Sequence, residues 1–421
     1  MSERLLGVIG SGTMGSGIAQ AAATAGFMVA TLDTEPSLVK AAYAKVEERL
    51  DRRVAKGKLP QHERDNIVER LHVAETLSHF KDAECVVEAV SEDLDLKRKI
   101  FGELEGVVSE RTLLASNTSS LSIENIGEGL KRADRFLGMH FFNPAPVMKL
   151  VEIVRGPKTG EQAMVDARAV CTKLDKTAVK VKDSPGFIGN RVNRPFYLEA
   201  LHLLETGEAD IRSIDTAMRE IGGFRMGPFE LLDLIGVDIN LRVTETVYHD
   251  FGKPDRFKPN AIQEKLVANG RFGRKSGCGF YDHSNNEPTP AYETQLKNSS
   301  SWQPTDALKE FAAMLEKPAD RAMWIYARIF MAVMNEAALA ADTIAIPRDV
   351  NLTMELGFNY PEGPLATADH VGLDVMQKLL AGFYEESGQH ERYKANPLLD
   401  TRVAEENLGE KTSRGFLYHT L

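Results

Sequence analysis

The chain is 421 residues long and carries 51 Lys and Arg against 61 Asp and Glu, a formal net charge of -10. That length implies two to four domains with ample core, and the acidic balance excludes nucleic acid as a general partner and demands a local basic pocket for any polyanionic ligand. Cys85, Cys171 and Cys278 are scattered with no C-x-x-C, so neither a disulfide framework nor a zinc or other metal site is expected, and a reducing cytoplasm is the expected location.

The chain opens on Leu5 to Asp33. An apolar run, Leu5 to Ile9, meets Gly10-Ser11-Gly12-Thr13-Met14-Gly15. A small-residue helix pattern follows from Gly17 to about Ala25, and Gly26 stops it. A second β-rich run, Phe27 to Leu32, then ends at Asp33. Strand, G-x-G-x-x-G, helix, strand and acid in that order form the fingerprint of dinucleotide binding. Gly10 permits the tight turn, Gly12 lets backbone approach a pyrophosphate, and Gly15 lets helix and strand pack closely. The helix start turns free N–H groups and positive dipole toward phosphate. The stretch lacks charge from Leu5 to Leu32, but its apolar residues fall in two short runs split by glycine, serine and threonine. A membrane span is therefore rejected, and a signal peptide fits poorly.

Residues 36 to about 71 read as two amphipathic helices separated by Gly57 and Pro60, with Leu38, Ala41, Ala42, Val46 and Leu50 as the apolar stripe of the first. Arg49, Arg52, Arg53, Lys56 and Lys58 cluster near the break. They read as a solvated helix face or as a basic lip for a phosphate-bearing substrate. Strands follow at Cys85 to Val90, Leu113 to Ser116 and Phe136 to Phe142, with a helix over about Leu94 to Glu103 and another from Ile123. Glu88 to Glu92, Asn117 to Ser120 and His140 to Asn143 stand at carboxyl ends of strands, where ligands of open α/β sheets bind. The two prolines of Asn143-Pro144-Ala145-Pro146 favour a tight reversal into a strand over Lys149 to Val154. A hairpin centred on Pro146 sets His140 opposite Glu152.

A last strand, Ala178 to Lys182, leads to Asp183-Ser184-Pro185-Gly186, and the pattern turns helical. Phe187 to Leu204 reads as one long amphipathic helix with Asn190 in its first turns. The chain then repeats itself. Gly227-Pro228 through Asp233 and Gly236-Val237-Asp238 recur as Gly363-Pro364 through Asp369 and Gly372-Leu373-Asp374. Phe272-Gly273-Arg274-Lys275 recurs as Leu408-Gly409-Glu410-Lys411. Both offsets are 136. The polar, aperiodic stretch from Asp282 to Thr305 reads as a linker between the copies. The expected architecture is α/β: a Rossmann-type dinucleotide-binding domain (1–184), a first all-α C-terminal module (185–282), a linker (283–305) and a second all-α module (306–421).

Gly138-Met139-His140-Phe141-Phe142-Asn143-Pro144 and Asp183-Ser184-Pro185-Gly186-Phe187-Ile188-Gly189-Asn190-Arg191 resemble signatures of the L-3-hydroxyacyl-CoA dehydrogenases. So do Val87-Glu88-Ala89-Val90 with Glu92 and Lys97, Ala115 to Ser120, and Met226-Gly227-Pro228-Phe229. The likeness spans about residues 5 to 282, and residues 306 to 421 resemble the second C-terminal copy of longer members.

The resemblance implies NAD-dependent oxidation of an L-3-hydroxyacyl-CoA to the 3-ketoacyl-CoA, a step of fatty-acid β-oxidation. It implies His140 as general base, Glu152 as its carboxylate partner, Ser119 and Asn190 as donors to the substrate oxygen, and Asn143 as a positioning residue beside base and nicotinamide. Glu92, Lys97 and Lys275 match cofactor-side residues, and Lys56 or Lys58 is matched loosely to the CoA phosphates. Asp33, as an acceptor for a ribose 2′-hydroxyl, favours NAD over NADP. Ala327 falls opposite Asn190 in the second copy and no second G-x-G-x-x-G precedes it, so the repeat is expected to be scaffold. Single-module members pair through this module, which suggests an internal pseudo-dimer in a monomer or homodimer. The competing readings are a related sugar-acid dehydrogenase and a nucleotide-binding structural protein without catalysis.

Overall fold

In the computed structural model, which describes residues 4–297 and 300–419, the chain divides after Phe187 into two compact units.

The first unit is built on one eight-stranded sheet. Its strands are β1 (Leu5–Ile9), β2 (Met28–Leu32), β3 (Leu71–Val73), β4 (Cys85–Glu88), β5 (Leu113–Ser116), β6 (Phe136–Phe141), β7 (Leu150–Arg155) and β8 (Thr177–Lys182). Their order is β3-β2-β1-β4-β5-β6-β7-β8. The first six run parallel, β7 turns back antiparallel on β6, and β8 is parallel to β7. Chain order reverses between β1 and β4, the switch point where open sheets leave a crevice. Buried on both faces, β1, β4 and β5 read as apolar runs rather than alternating patterns.

Six helices cover the sheet: α1 (Thr13–Thr24), α2 (Pro36–Ala55), α3 (Gln61–Glu69), α4 (Leu94–Glu105), α5 (Ile123–Ile126) and α6 (Glu161–Lys173). Helix α1 begins inside the glycine motif, with Gly12 as its N-cap, four residues before the small-residue pattern suggested. The buried stripe of α2 is Val39, Tyr43, Val46 and Leu50. Leu38, Ala41 and Ala42 are instead turned to an open groove. Strand β3 and helix α6 were not expected from the sequence; β3 is a three-residue edge strand whose register comes from β2.

The second unit is helical: α7 (Gly189–Val192), α8 (Arg194–Glu205), α9 (Ile211–Glu220), α10 (Pro228–Ile235), α11 (Val237–Asp250), α12 (Ala261–Ala268), α13 (Asp306–Met314), α14 (Arg321–Thr343), α15 (Pro347–Phe358), α16 (Pro364–Val371), α17 (Leu373–Glu386) and α18 (Pro397–Ala404). The single helix expected over 187–204 is broken at Asn193, because Pro195 restarts it. None of the described helices is long and apolar enough to cross a membrane.

The repeat is visible in the hydrogen bonds. Buried Asp233 accepts from the Phe280 and Tyr281 amides, both at 2.9 Å, and meets His283 Nε2 at 2.8 Å. Buried Asp369 does the same with the Phe416 and Leu417 amides, both at 2.8 Å, and with His419 Nε2 at 2.9 Å. Two buried ion clusters link α7 and α8 with α14. Glu199 receives Arg328 Nη2 at 2.8 Å and also Arg392, while Glu336 receives Arg191 Nε at 2.5 Å and Arg256 Nε at 3.0 Å.

One position breaks the repeat in charge. Asp215 accepts from Tyr281 Oη at 2.7 Å and from the Phe229 amide at 2.9 Å. Its counterpart is Asn351, which serves the Leu365 amide at 3.0 Å. Burial pushes the Asp215 carboxyl up to about 7, against the hydrogen bonds it accepts. A raised carboxyl pKa means that the folded state keeps a proton the unfolded chain has lost, so this group makes stability fall as pH rises from about 4 to about 7. The Asp215→Asn variant lacks that titration. Thermal unfolding across pH 5 to 8 is expected to show the difference in Tm, variant minus wild type, moving in the variant's favour as pH rises.

Candidate active site

The crevice begins at the glycine loop. Gly10 has φ +95°, and a Cβ there would stand 2.6 Å from the Ala89 carbonyl oxygen; one on Gly15 would stand 1.9 Å from the Gly10 carbonyl oxygen. Neither position admits a side chain. At Gly12, by contrast, nothing lies within 4 Å of the Cβ position, which leaves the room a pyrophosphate needs above the start of α1. Asp33 is tied to this loop. Its Oδ2 accepts from the Ser11 amide at 2.7 Å and Ser11 Oγ at 2.6 Å, and Oδ1 accepts from the Thr34 amide at 2.7 Å. Burial would raise its pKa, but these donors outweigh it and hold the carboxyl below the usual range. It is an ionised acceptor at the end of β2, as recognition of a ribose diol requires.

A groove of about 1090 Å³ runs from here along α2. Ser11, Gly12, Thr13, Asp33 and Asn143 line it at the glycine loop, and Lys45, Arg49, Arg52 and Arg53 line it farther along. Arg49 is aimed by Gln20 of α1, whose Oε1 accepts from Nε at 3.2 Å and Nη2 at 3.0 Å. Lys56 does not line this groove: it caps the C-terminus of α2 and is exposed. The basic lip therefore sits one to three turns earlier than Lys56. Lys45 was missed, although it lies one turn before Arg49 on the same face, and that i, i+4 spacing was the available signal.

On the other side of the switch point the carboxylates are pinned. Lys97, expected beside the cofactor, is 1% exposed. Its Nζ meets Glu88 at 2.6 Å and Glu92 Oε2 at 3.1 Å, so it stands beneath these carboxylates rather than at the surface of the crevice. Glu92 Oε1 accepts from Thr118 Oγ1 at 2.7 Å and the Ser119 amide at 2.9 Å. Burial raises the Glu92 pKa, but Lys97 and these donors overcome that and hold it low. Ser119 is placed by the same carboxylate, with Oγ at 3.5 Å from it.

The β6–β7 register pairs His140 with Glu152. His140 Nδ1 lies 2.7 Å from Glu152 Oε2. Glu152 is fully buried and His140 is 8% exposed. Phe142 and Phe187 flank the imidazole, with ring centroids at 4.7 and 5.7 Å. The Asn117 side chain accepts from the Phe141 amide at 2.9 Å and so joins the end of β5 to that of β6. A buried carboxylate on Nδ1 fixes that nitrogen as the donor and leaves Nε2 to accept a proton.

Asn190 and Lys275 belong to the second unit. Asn190 lies in α7, and its carbonyl accepts from Arg194 Nε at 3.0 Å. Lys275 Nζ bonds Asp238 Oδ2 at 2.8 Å. Lys411 meets Asp374 in the other copy, so this ion pair belongs to the module's own fold.

Comparison with known proteins agrees with this arrangement. Residues 5–184 match the family model for the NAD binding domain of 3-hydroxyacyl-CoA dehydrogenase. Residues 186–283 and again 324–419 match its C-terminal domain. The chain is 34% identical to the 3-hydroxyadipyl-CoA dehydrogenase of Escherichia coli (strain K12), over 96% of this chain and 98% of the relative. It is 40% identical to a probable 3-hydroxybutyryl-CoA dehydrogenase of Bacillus subtilis (strain 168), over 67% of this chain and 98% of the relative. The crystal structure of 3-hydroxybutyryl-CoA dehydrogenase from Escherichia coli K12 superposes with a TM-score of 0.85 at 33% identity, covering 96% of this chain and 99% of that one.

Proposed function

Because the chain belongs to the 3-hydroxyacyl-CoA dehydrogenase family, we propose that it oxidises the 3-hydroxyl of an L-3-hydroxyacyl-CoA to the ketone, with His140 as general base and Glu152 as its partner. The observation that carries this reading is the 2.7 Å contact of His140 Nδ1 with the fully buried Glu152. His140 Nε2 takes the hydroxyl proton, and Glu152 stabilises the imidazolium that forms. The family resemblance assigns Ser119 and Asn190 as donors to the substrate oxygen while its charge builds. Bound NAD would supply the hydride acceptor; Gly12, Asp33, Asn143 and Glu92 would hold it, and the same resemblance assigns Lys275 to the cofactor. Formation of NADH from L-3-hydroxybutyryl-CoA, but not from its D isomer or a free sugar acid, is the test. Turnover of the sugar acid alone would favour the related hydroxy-acid dehydrogenases instead.

The groove along α2 supports a seat for the CoA phosphates at Lys45, Arg49, Arg52 and Arg53. None of the four forms an ion pair with a carboxylate among the described residues, and apolar Leu38 and Ala42 of the same helix line the groove beside them, with Val147 also in its lining. Charge-assisted bonds of this kind contribute about 1.5–3 kcal/mol each. Arg49→Ala is therefore expected to raise KM for an acyl-CoA roughly 10- to 100-fold and to leave KM for NAD and for the phosphate-free N-acetylcysteamine thioester unchanged. Equal loss on both thioesters would remove the seat from Arg49.

The second C-terminal copy is proposed to serve as a built-in partner for the first, an internal pseudo-dimer. The support is that Glu199 with Arg328 and Arg392, and Glu336 with Arg191 and Arg256, occupy equivalent positions of the two copies. Such reciprocal pairing is the mark of an isologous interface.

A further inference from the structure

Each contact between two copies paired about a two-fold axis occurs twice, with the roles exchanged. The ion clusters obey this rule, because each copy contributes one glutamate and two arginines. Phe224 and Tyr360, equivalent in the repeat, touch each other at 4.8 Å between centroids, as residues astride such an axis do.

The steric contacts between the copies are one-sided. A Cβ on Gly189 would stand 2.5 Å from Phe358 Cε2 and 3.3 Å from Thr353 Cγ2, and one on Gly222 would stand 2.7 Å from Tyr326 Cε2, as well as 2.8 Å from the Met218 carbonyl oxygen and 2.9 Å from Phe224 Cδ2 of its own copy. In the repeat Gly189 corresponds to Tyr326, and Gly222 corresponds to Phe358. The two contacts are therefore the two halves of one symmetric pair, yet both hollows lie on the first copy and both rings on the second. The Tyr326 ring is fixed from behind, stacked on Phe330 at 5.5 Å and on Phe311 at 6.1 Å, and Tyr326 is 5% exposed. A hydrogen bond on this face is equally one-sided: Tyr360 Oη donates to Asn193 Oδ1 at 3.0 Å, and the equivalents of that pair, Phe224 and Phe330, have no polar group.

We infer that this face of the first module fits only a second module and excludes another first module. Two first modules would set Gly189 against Gly222 at both sites and leave voids where the rings now sit, at a cost that grows with cavity volume. Two second modules would drive Tyr326 into Phe358 at both sites, where overpacking resists. The two glutamate clusters permit every combination, so the glycines and rings decide the partner, together with the one-sided pairs Tyr360–Asn193 and Arg321–Glu208. The second module therefore holds the turn that carries Asn190. Its Phe358 packs on Gly189, its Glu336 holds Arg191, and its Tyr360 holds Asn193.

A double-mutant cycle on the intact chain tests the steric code. Gly189→Ala is expected to lower Tm by about 2–10 °C, since the close atoms its Cβ would meet, Phe358 Cε2 at 2.5 Å and Thr353 Cγ2 at 3.3 Å, belong to the second copy. The same change made on Phe358→Ala is expected to cost much less, since the colliding ring is gone. Strict additivity of the two would overturn the code. Partner choice is tested on wild type by nicking the folded chain at Lys297, which is exposed in the linker, and weighing the product by native mass spectrometry. One-to-one pairs of unlike fragments are expected. Homodimers of the first-module fragment, or fragments that part into monomers, would overturn the inference.

Discussion

His140→Ala is expected to lower kcat for 3-hydroxyacyl-CoA oxidation by about 10²–10⁴-fold, the range general acid–base catalysis supplies. Glu152 is fully buried and bonded to the ring at Nδ1, and the rings of Phe142 and Phe187 flank the imidazole. Glu152→Gln keeps the shape and an acceptor oxygen but removes the charge that stabilises the imidazolium, and it permits the ring to sit in the wrong tautomer. It should fall in the same direction as His140→Ala, chiefly in kcat. The loss from the double variant should equal that of His140→Ala alone, because the two residues act as one unit. NADH absorbance under saturating substrate reads the rate, and quenching of protein fluorescence by NAD checks that the cofactor still binds. Unchanged turnover in His140→Ala would assign catalysis to another residue, and absent turnover in wild type with intact NAD binding would make the protein a nucleotide-binding scaffold.

Glu199→Ala should be among the most destabilising single changes in the chain, at about 3–5 kcal/mol, because it strands Arg328 and Arg392 in the interior without a counter-charge. Both arginines are about 95% buried. Burial alone would raise the Glu199 carboxyl, but the two guanidinium groups outweigh it and hold it down at about 2. A depressed carboxyl pKa stabilises the fold above the unfolded value near 4.5, and that contribution fades as pH falls toward 2. The variant should lose most stability at neutral pH and converge on wild type in acid. Urea unfolding at pH 7 and at pH 3 reads both. A loss independent of pH would mean that packing, not charge, holds this cluster.

The dinucleotide site was legible because its chemistry is local. A glycine with positive φ, a helix start and an acid at the next strand's end all fall within 29 residues. The opposition of His140 and Glu152 was legible for a related reason: two prolines set the turn, and strand period then fixes which side chains face each other. The rest depended on distant partners. A lysine on a helix reads as solvated, and only the placement of Glu88 on the neighbouring strand shows Lys97 to be buried. Ala41 and Ala42 read as core by hydropathy, yet they face an open groove because α2 is rotated so that Val39 and Tyr43 point inward. The break at Asn193 was marked by Pro195, but the long apolar pattern around it carried more weight. The repeat was plain in the glycines and aspartates it keeps, while its meaning lies in the positions where the copies differ.

Those differences give the joined modules a polarity. A chain with one module, meeting itself across an axis, must encode both hollow and ring, since every substitution appears on both faces at once. Two joined copies can divide the halves between them: Gly189 and Gly222 stand on the first, Phe358 and Tyr326 on the second. Loss of the second copy would leave a half without a mate. The joined chain is therefore not two interchangeable modules but a lock with its key attached.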